Sequence, residues 1–235
     1  MTYPETDREP ILAIPLWING HPYLTMAPAF FDVRDAGGEI RRRTPLCGSG
    51  EAVAAAASAS AALPAWSARP ADERARLLGV VGEALAGYAA HFAGLIGEET
   101  GKDAALAVVE VAAAVKLLRA AAACSGEAGG VVGIISDDGE PLIGLLRHAV
   151  PALSGGATVV VKPSPKAPSA AFALAELTAE SGFPGGVFNI LHGDLAAVEG
   201  LCAADEVSRI RFAGDPALGE RVGAIAARYG KRCRD

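Results

Sequence analysis

From residue 129 onward the chain changes period again and again. Short apolar runs at 131–135, 158–161, 187–191 and 207–212 read as buried strands. Segments 141–153, 167–181, 195–202 and 216–229 carry helical spacing, and short Gly-containing turns separate the two kinds. Strand, helix and strand in one sheet join as right-handed crossovers. The predicted fold class is therefore α/β: a Rossmann-like parallel sheet of about four strands, preceded by an N-terminal β/helical wrap.

The wrap occupies 1–128 and the nucleotide-binding-type segment 129–235, packed as one unit. Residues 1–10 are polar and expected to be loose. Segments 11–16 and 17–24 read as short strands, with Asn19-Gly20 as a hairpin turn. A third strand, 30–34, is closed by Gly37-Gly38. An alanine-rich helix over 51–63 is expected to stop at Pro64, with Trp66 docking the corner. Pro70 opens a helix whose apolar positions run continuously from Leu77 and Leu78 to Leu95 and Ile96. Gly101 is its expected C-cap. A further helix, 103–123, has Leu106, Val109, Val115 and Leu118 as its apolar positions.

Half of the residues (51%) are apolar, which is enough for a core and excludes global disorder. The net charge of −6, without a basic tract, excludes nucleic-acid or anionic-membrane binding through bulk charge. Cys47, Cys124, Cys202 and Cys233 form no CxxC pair and have no zinc-ligand spacing with the histidines. They read as reduced thiols. With no signal-like start and no apolar run of about 20 residues, the expected location is cytoplasmic.

Ligands of open parallel sheets sit beyond the carboxyl ends of the strands. Those ends are Ser136-Asp137-Asp138-Gly139, Lys162-Pro163-Ser164-Pro165, His192-Gly193-Asp194 and Ala213-Gly214-Asp215. Gly193 and Gly214 allow close backbone approach, which suits a nucleotide; equally, they could simply make tight turns. Neither GxGxxG nor a Walker lysine pattern is present.

An ordered series of motifs carries a resemblance. It runs from Trp17-Ile18-Asn19-Gly20 through Leu63-Pro64-Ala65-Trp66-Ser67, Glu98-Glu99-Thr100-Gly101-Lys102 and Val132-Gly133-Ile134-Ile135-Ser136. It continues with Pro151-Ala152-Leu153-Ser154-Gly155-Gly156, Val160-Val161-Lys162-Pro163-Ser164, Gly182-Phe183-Pro184-Gly185-Gly186 and Ile210-Arg211-Phe212-Ala213-Gly214. Nearly the whole chain resembles the first, NAD-binding half of an aldehyde dehydrogenase. The resemblance implies an oxidoreductase superfamily whose glutamate base and nucleophilic cysteine would lie beyond Asp235. Cys233 stands outside the nucleophile's motif.

The resemblance also implies cofactor contacts at Lys162, Ser164, Gly193, Phe212, Gly214 and Leu218. Two departures argue against NAD. Pro165 replaces the glutamate that accepts ribose hydroxyls, and Asp215, followed by Pro216, replaces the serine that meets the pyrophosphate. Asp215 is expected to cap its own helix instead. Gly139 replaces the oxyanion asparagine, so no catalytic residue is assigned. The acidic turn around it is read as solvated, with no metal site.

The family's dimerisation arm is absent from this reading, because 119–131 is too short for its strand. The strand 207–212 is expected to be an open edge, protected by Arg209 and Arg211 and beside an apolar surface that invites another protein chain. The functional expectation is an aldehyde-dehydrogenase-like protein inactive alone, a non-catalytic subunit or scaffold of a larger complex. The alternatives are an NAD(P)-binding module serving a catalytic domain on another chain, and a functionless gene fragment.

Overall fold

The structure, a computed structural model, describes residues 11–124 and 129–234. The expectations for residues 1–10 and for the 125–128 part of the shortened arm lie outside the described residues.

The N-terminal hairpin consists of β1 (Leu16–Ile18) and β2 (His21–Tyr23). Asn19 and Gly20 both have positive φ, 57° and 79°, which gives the turn a twist matched to the strands. β3 (Phe30–Arg34) and β4 (Ile40–Pro45) form a separate antiparallel ribbon. The sequence reading missed β4. Its run of Arg41, Arg42 and Arg43 hides a strand that buries only its Thr44-Pro45 end.

α1 runs from Ser49 to Ser67, so Pro64 lies inside the helix and does not stop it. An interior proline costs about 3 kcal/mol. Here the helix is held beyond it by Trp66, which is fully buried and donates from Nε1 to Leu153 O at 3.1 Å. The expected single helix of residues 70–100 is two, α2 (Ala71–Gly87) and α3 (Ala89–Thr100), bent by 74°. Tyr88 leaves the helical region at φ −103° and ψ 16°. The bend lets Leu77, Leu78, Val81 and Leu85 bury along one direction and Phe92 and Ile96 along another. Gly101 ends α3 at φ 68°, as expected of a C-cap.

α4 (Ala104–Arg119), capped by Asp103, is followed by a 3-10 turn at Ala121–Ala123. It buries Ala107, Glu110, Val111, Val115 and Leu118. Leu106 and Val109, expected inside, are exposed. The buried carboxylate of Glu110 fixes the helix rotation: its Oε1 accepts the N–H groups of Leu142 and Ile143.

The second half follows the predicted alternation. The elements are β5 (Val131–Ser136), α5 (Ile143–Ser154), β6 (Thr158–Lys162), α6 (Ser169–Glu180), β7 (Phe188–Ile190), α7 (Leu195–Ala203), β8 (Val207–Ala213) and α8 (Pro216–Arg228). A final short strand, β9 (Cys233–Arg234), was not predicted. Among the described residues the sheet has seven strands, in the order β2-β1-β7-β6-β5-β8-β9, of which the parallel part has five where about four were expected. β5 to β9 run parallel, and β1 joins β7 antiparallel at Trp17 and Ile190. The wrap thus adds two strands to the Rossmann-like sheet. β8 is not an open edge: Cys233 and Arg234 pair with Ile210 and Arg211.

Helices α2 to α6 pack on one face of the sheet and α1, α7 and α8 on the other. Strand order reverses about β5, since β6 and β7 lie on one side and β8 on the other. That switch point, at the carboxyl ends of β5 and β8, is where an open α/β sheet offers a crevice. Among the described residues, no single helix is long and apolar enough to cross a membrane.

Candidate functional site

A cleft of about 610 Å³ lies at the switch point, lined by the turn after β5, the start of α5 and the β8–α8 turn. The first turn holds Gly139. Its N–H donates to Asp137 Oδ1 at 2.9 Å, and its carbonyl accepts from Lys102 Nζ at 2.8 Å. Lys102 also pairs with the buried Glu110. Neighbouring Glu99 accepts the Ser169 N–H at the start of α6, so the Glu98-Glu99-Thr100-Gly101-Lys102 motif seats two helices and one turn. Desolvation pushes the Glu99 carboxyl up, opposed chiefly by the Ser169 hydroxyl.

The acidic turn is not simply solvated, as the sequence had suggested. Asp137 Oδ2 accepts the Asp215 N–H at 2.7 Å. Asp138 accepts from Ser164 Oγ at 3.1 Å, and Glu140 pairs with Arg147. The Arg147 hydrogen bond holds the Glu140 carboxyl below its ordinary range. Across the cleft, Asp215 caps α8 as expected: Oδ1 accepts from Ala217 N at 2.9 Å and Leu218 N at 3.2 Å.

The glycines expected to admit a ligand admit other parts of this chain. A Cβ on Gly214 (φ 148°) would lie 2.2 Å from the Asp137 carboxyl, and one on Gly193 (φ 129°) 2.9 Å from Cys47 O. Phe212 is buried in the core, and its carbonyl accepts from His148 Nε2 at 3.0 Å. Lys162 is buried and donates to Pro163 O at 2.9 Å and Gly193 O at 3.0 Å. Burial pushes its ammonium down to about 8, with Asp194 opposing. Pro165 is half-buried beside Ser164.

The structure therefore gathers Gly139, Phe212, Gly214 and Asp215 around one cleft. Lys162 and Gly193 meet at a neighbouring turn. Sequence reasoning missed the parts played by Asp137, Lys102, Glu110 and His148. Asp137 alone had a local signal: an Asp two residues before a turn glycine is suited to accepting that glycine's N–H.

Residues 29–128 and 123–234 match the profile of the aldehyde dehydrogenase family. The chain belongs to this family. It is 33% identical to a malonate-semialdehyde dehydrogenase of Pseudomonas aeruginosa, over 83% of this chain and 43% of that protein. It is 32% identical to a human 2-aminomuconic semialdehyde dehydrogenase, over 83% of this chain and 45% of that protein. Among solved structures, lactaldehyde dehydrogenase of Escherichia coli superposes with a TM-score of 0.89 at 29% identity, covering 95% of this chain and 51% of that one. An aldehyde dehydrogenase of Pseudomonas syringae, solved with NAD+ and octanal, gives 0.87 at 26% identity, over 93% of this chain and 49% of that one. The chain spans about half the length of these relatives.

The start of α8 is not arranged as a pyrophosphate site. A pyrophosphate at a helix N-terminus is held by free N–H groups and the positive end of the dipole. Here the Asp215, Ala217 and Leu218 N–H groups all bond carboxylate oxygens of this chain. Pro165 has no acceptor or donor in its side chain.

Proposed function

We propose that the chain is a non-catalytic aldehyde-dehydrogenase-like protein of the cytoplasm, acting as a subunit or scaffold of a larger complex with another protein chain. The filled N-terminus of α8 carries this reading. Phosphate oxygens arriving there would meet the carboxylates of Asp215 and Asp137. Oxyanion chemistry is equally unsupported at Gly139, which lacks a side-chain donor and bonds its own N–H to Asp137. Burial pushes the Cys47 and Cys202 thiols up to about 12 and 11, which disfavours the reactive thiolate.

Calorimetry with NAD+ and NADP+, alongside reduced-cofactor formation over a panel of aldehydes, tests the reading. We expect no binding tighter than millimolar and no turnover. Low-micromolar binding would overturn it in favour of an NAD(P)-binding module for a catalytic domain on another chain. Asp215→Ser with Pro165→Glu should strengthen any weak binding, since a donor and an acceptor return together. Sizing of the natively purified protein tests the complex, and a clean monomer with no co-purifying chain would overturn it.

A further inference from the structure

α4 turns an apolar face outward. Between Ala104 and Val115 its only charged residue is Glu110, and that carboxylate points inward to the Leu142 and Ile143 N–H groups. Leu106, Val108 and Val109 are 59%, 56% and 64% exposed, with Ala105, Ala112 and Ala113 exposed beside them. A surface helix carries charged or polar residues on its outer face, and one that is apolar all round is a buried helix. Next to this ridge runs a groove of about 530 Å³, between α4 and the α2–α3 bend. Ala86 and Ala89 line one wall, and Val108, Val111, Ala112 and Val115 the other. The groove shares no residue with the switch-point cleft.

The ends of the helix say what covers it. Asp103, its N-cap, is exposed, and Lys116 and Arg119 stand in its last turn. Glu83 holds Arg119 at 2.7 and 2.8 Å, and the exposed Lys116 projects from the apolar face. A helix laid antiparallel on α4 must offer a cation near Asp103, an acid near Lys116 and small apolar residues between. α4 itself meets all three demands. With a two-fold axis between Val109 and Ala112, Val109 of each copy packs on Ala112 of the other, large against small. Asp103 then comes within reach of the other copy's Lys116 at both ends. The two helix dipoles oppose one another, and the alanines allow the axes to approach toward the near end of the usual range, about 8–10 Å. Every contact occurs twice, as a closed two-fold dimer requires.

We infer that α4 is a self-association surface: two copies of this chain pair antiparallel through Leu106, Val108, Val109 and Ala112, with Asp103 opposite Lys116. One 16-residue helix and its groove make an interface at the small end of the range, below about 1,200 Å² in total, the class of weak and reversible contacts. The inference goes beyond the function proposed above, which names no surface, and does not rest on it.

Analytical ultracentrifugation of the purified 235-residue chain, from about 1 to 500 µM, tests it. The 23.8 kDa species should give way to one of twice its mass, with a dissociation constant of roughly 10–100 µM. Val109→Glu should weaken the dimer about a hundredfold or more. Val53→Glu, at an exposed position of α1, should leave it unchanged. Lys116→Glu sets carboxylates against each other at both ends and should weaken it about tenfold or more. Adding Asp103→Asn, which keeps a capping side chain, should recover part of that loss, as general stickiness would not. Circular dichroism checks that each variant folds; if Val109→Glu does not, exposed Ala112→Gln replaces it, with a loss of about tenfold expected. A monomer at every concentration, an association untouched by Val109→Glu, or no recovery with Asp103→Asn would overturn the inference. So would a full-length monomer that dimerises only once residues 2–10 are removed, since that segment would then be what covers α4. A monomer of the pure chain would still leave the complex with another chain to be decided by native purification.

Discussion

The backbone N–H of Asp215 donates to Asp137 Oδ2 at 2.7 Å. The two residues follow adjacent parallel strands, β8 and β5, at the point where strand order reverses. One carboxylate thus ties together the two turns whose separation would otherwise form the ligand crevice. The turns are shaped to each other, because only a glycine at 214 leaves room for the Asp137 side chain.

Gly214→Ala should therefore destabilise the fold by roughly 1–3 kcal/mol, the usual cost of a strained backbone position. The contact adds to the strain, so the penalty should shrink in an Asp137→Ala background. Urea unfolding of the double-mutant cycle measures this. Equal penalties in both backgrounds would mean that φ alone, and not Asp137, requires the glycine.

Asp215→Ala removes the cap of α8 and should cost about 1 kcal/mol, whereas Asp215→Ser should retain most of the stability. Pro216 at the first helical position remains favourable in both variants. Thermal melting of the three proteins gives the order. An alanine variant as stable as the parent would show that Asp215 does not support the helix.

His192 is buried, and its Nε2 donates to Pro15 O at 3.0 Å, linking the end of β7 to the N-terminal strand. Burial pushes the imidazole down to about 4. Between about 6.5 and 4 the unfolded chain holds a proton that the folded chain does not, so stability falls as pH falls. The full window is worth roughly 3 kcal/mol. His192→Gln keeps a donor without the titration, and its stability should fall less steeply over this range. Parallel stability–pH curves for the two proteins would contradict a neutral buried imidazole.

The α/β alternation was legible because β5, β6, β7 and β8 are short apolar runs punctuated by glycine and proline. β4 and β9 were not, because arginines occupy their outward positions and break the apolar pattern. The α2–α3 bend was hidden too: apolar spacing continues across Gly87 and Tyr88, so the sequence reads as one helix. At the site, the cap by Asp215 could be read locally from the Asp-Pro pair. The Asp137 bridge could not, because its partner lies 78 residues away and meets it only once β5 and β8 pair. Gly193 and Gly214 read equally as ligand-facing or as tight-turn glycines, and only the fold, with Cys47 and Asp137 occupying the space beside them, decides for the second.

Lys162 supplies the last prediction. Its ammonium lies at the end of β6, buried, with its hydrogen bonds going to two backbone carbonyls. Burial lowers its pKa from 10.5 to about 8, and the attraction of Asp194 offsets only part of this. Below about 8 the lysine is charged in both folded and unfolded chains, and the folded state bears the full desolvation penalty. Between 8 and 10.5 the unfolded chain keeps a proton that the folded chain has lost, so this group makes stability rise with pH. Across the window the effect is roughly 3 kcal/mol. Cys47 and Cys202, whose thiols burial pushes up, act in the opposite direction at alkaline pH. The informative quantity is therefore the difference between the parent and Lys162→Met, which keeps the stem and removes the charge. Measured by urea unfolding at pH 8 and at pH 10.5, the parent should gain roughly 3 kcal/mol relative to the variant. A constant difference would mean that the ammonium keeps its ordinary pKa and has access to water, reopening Lys162 as a contact for a bound ligand.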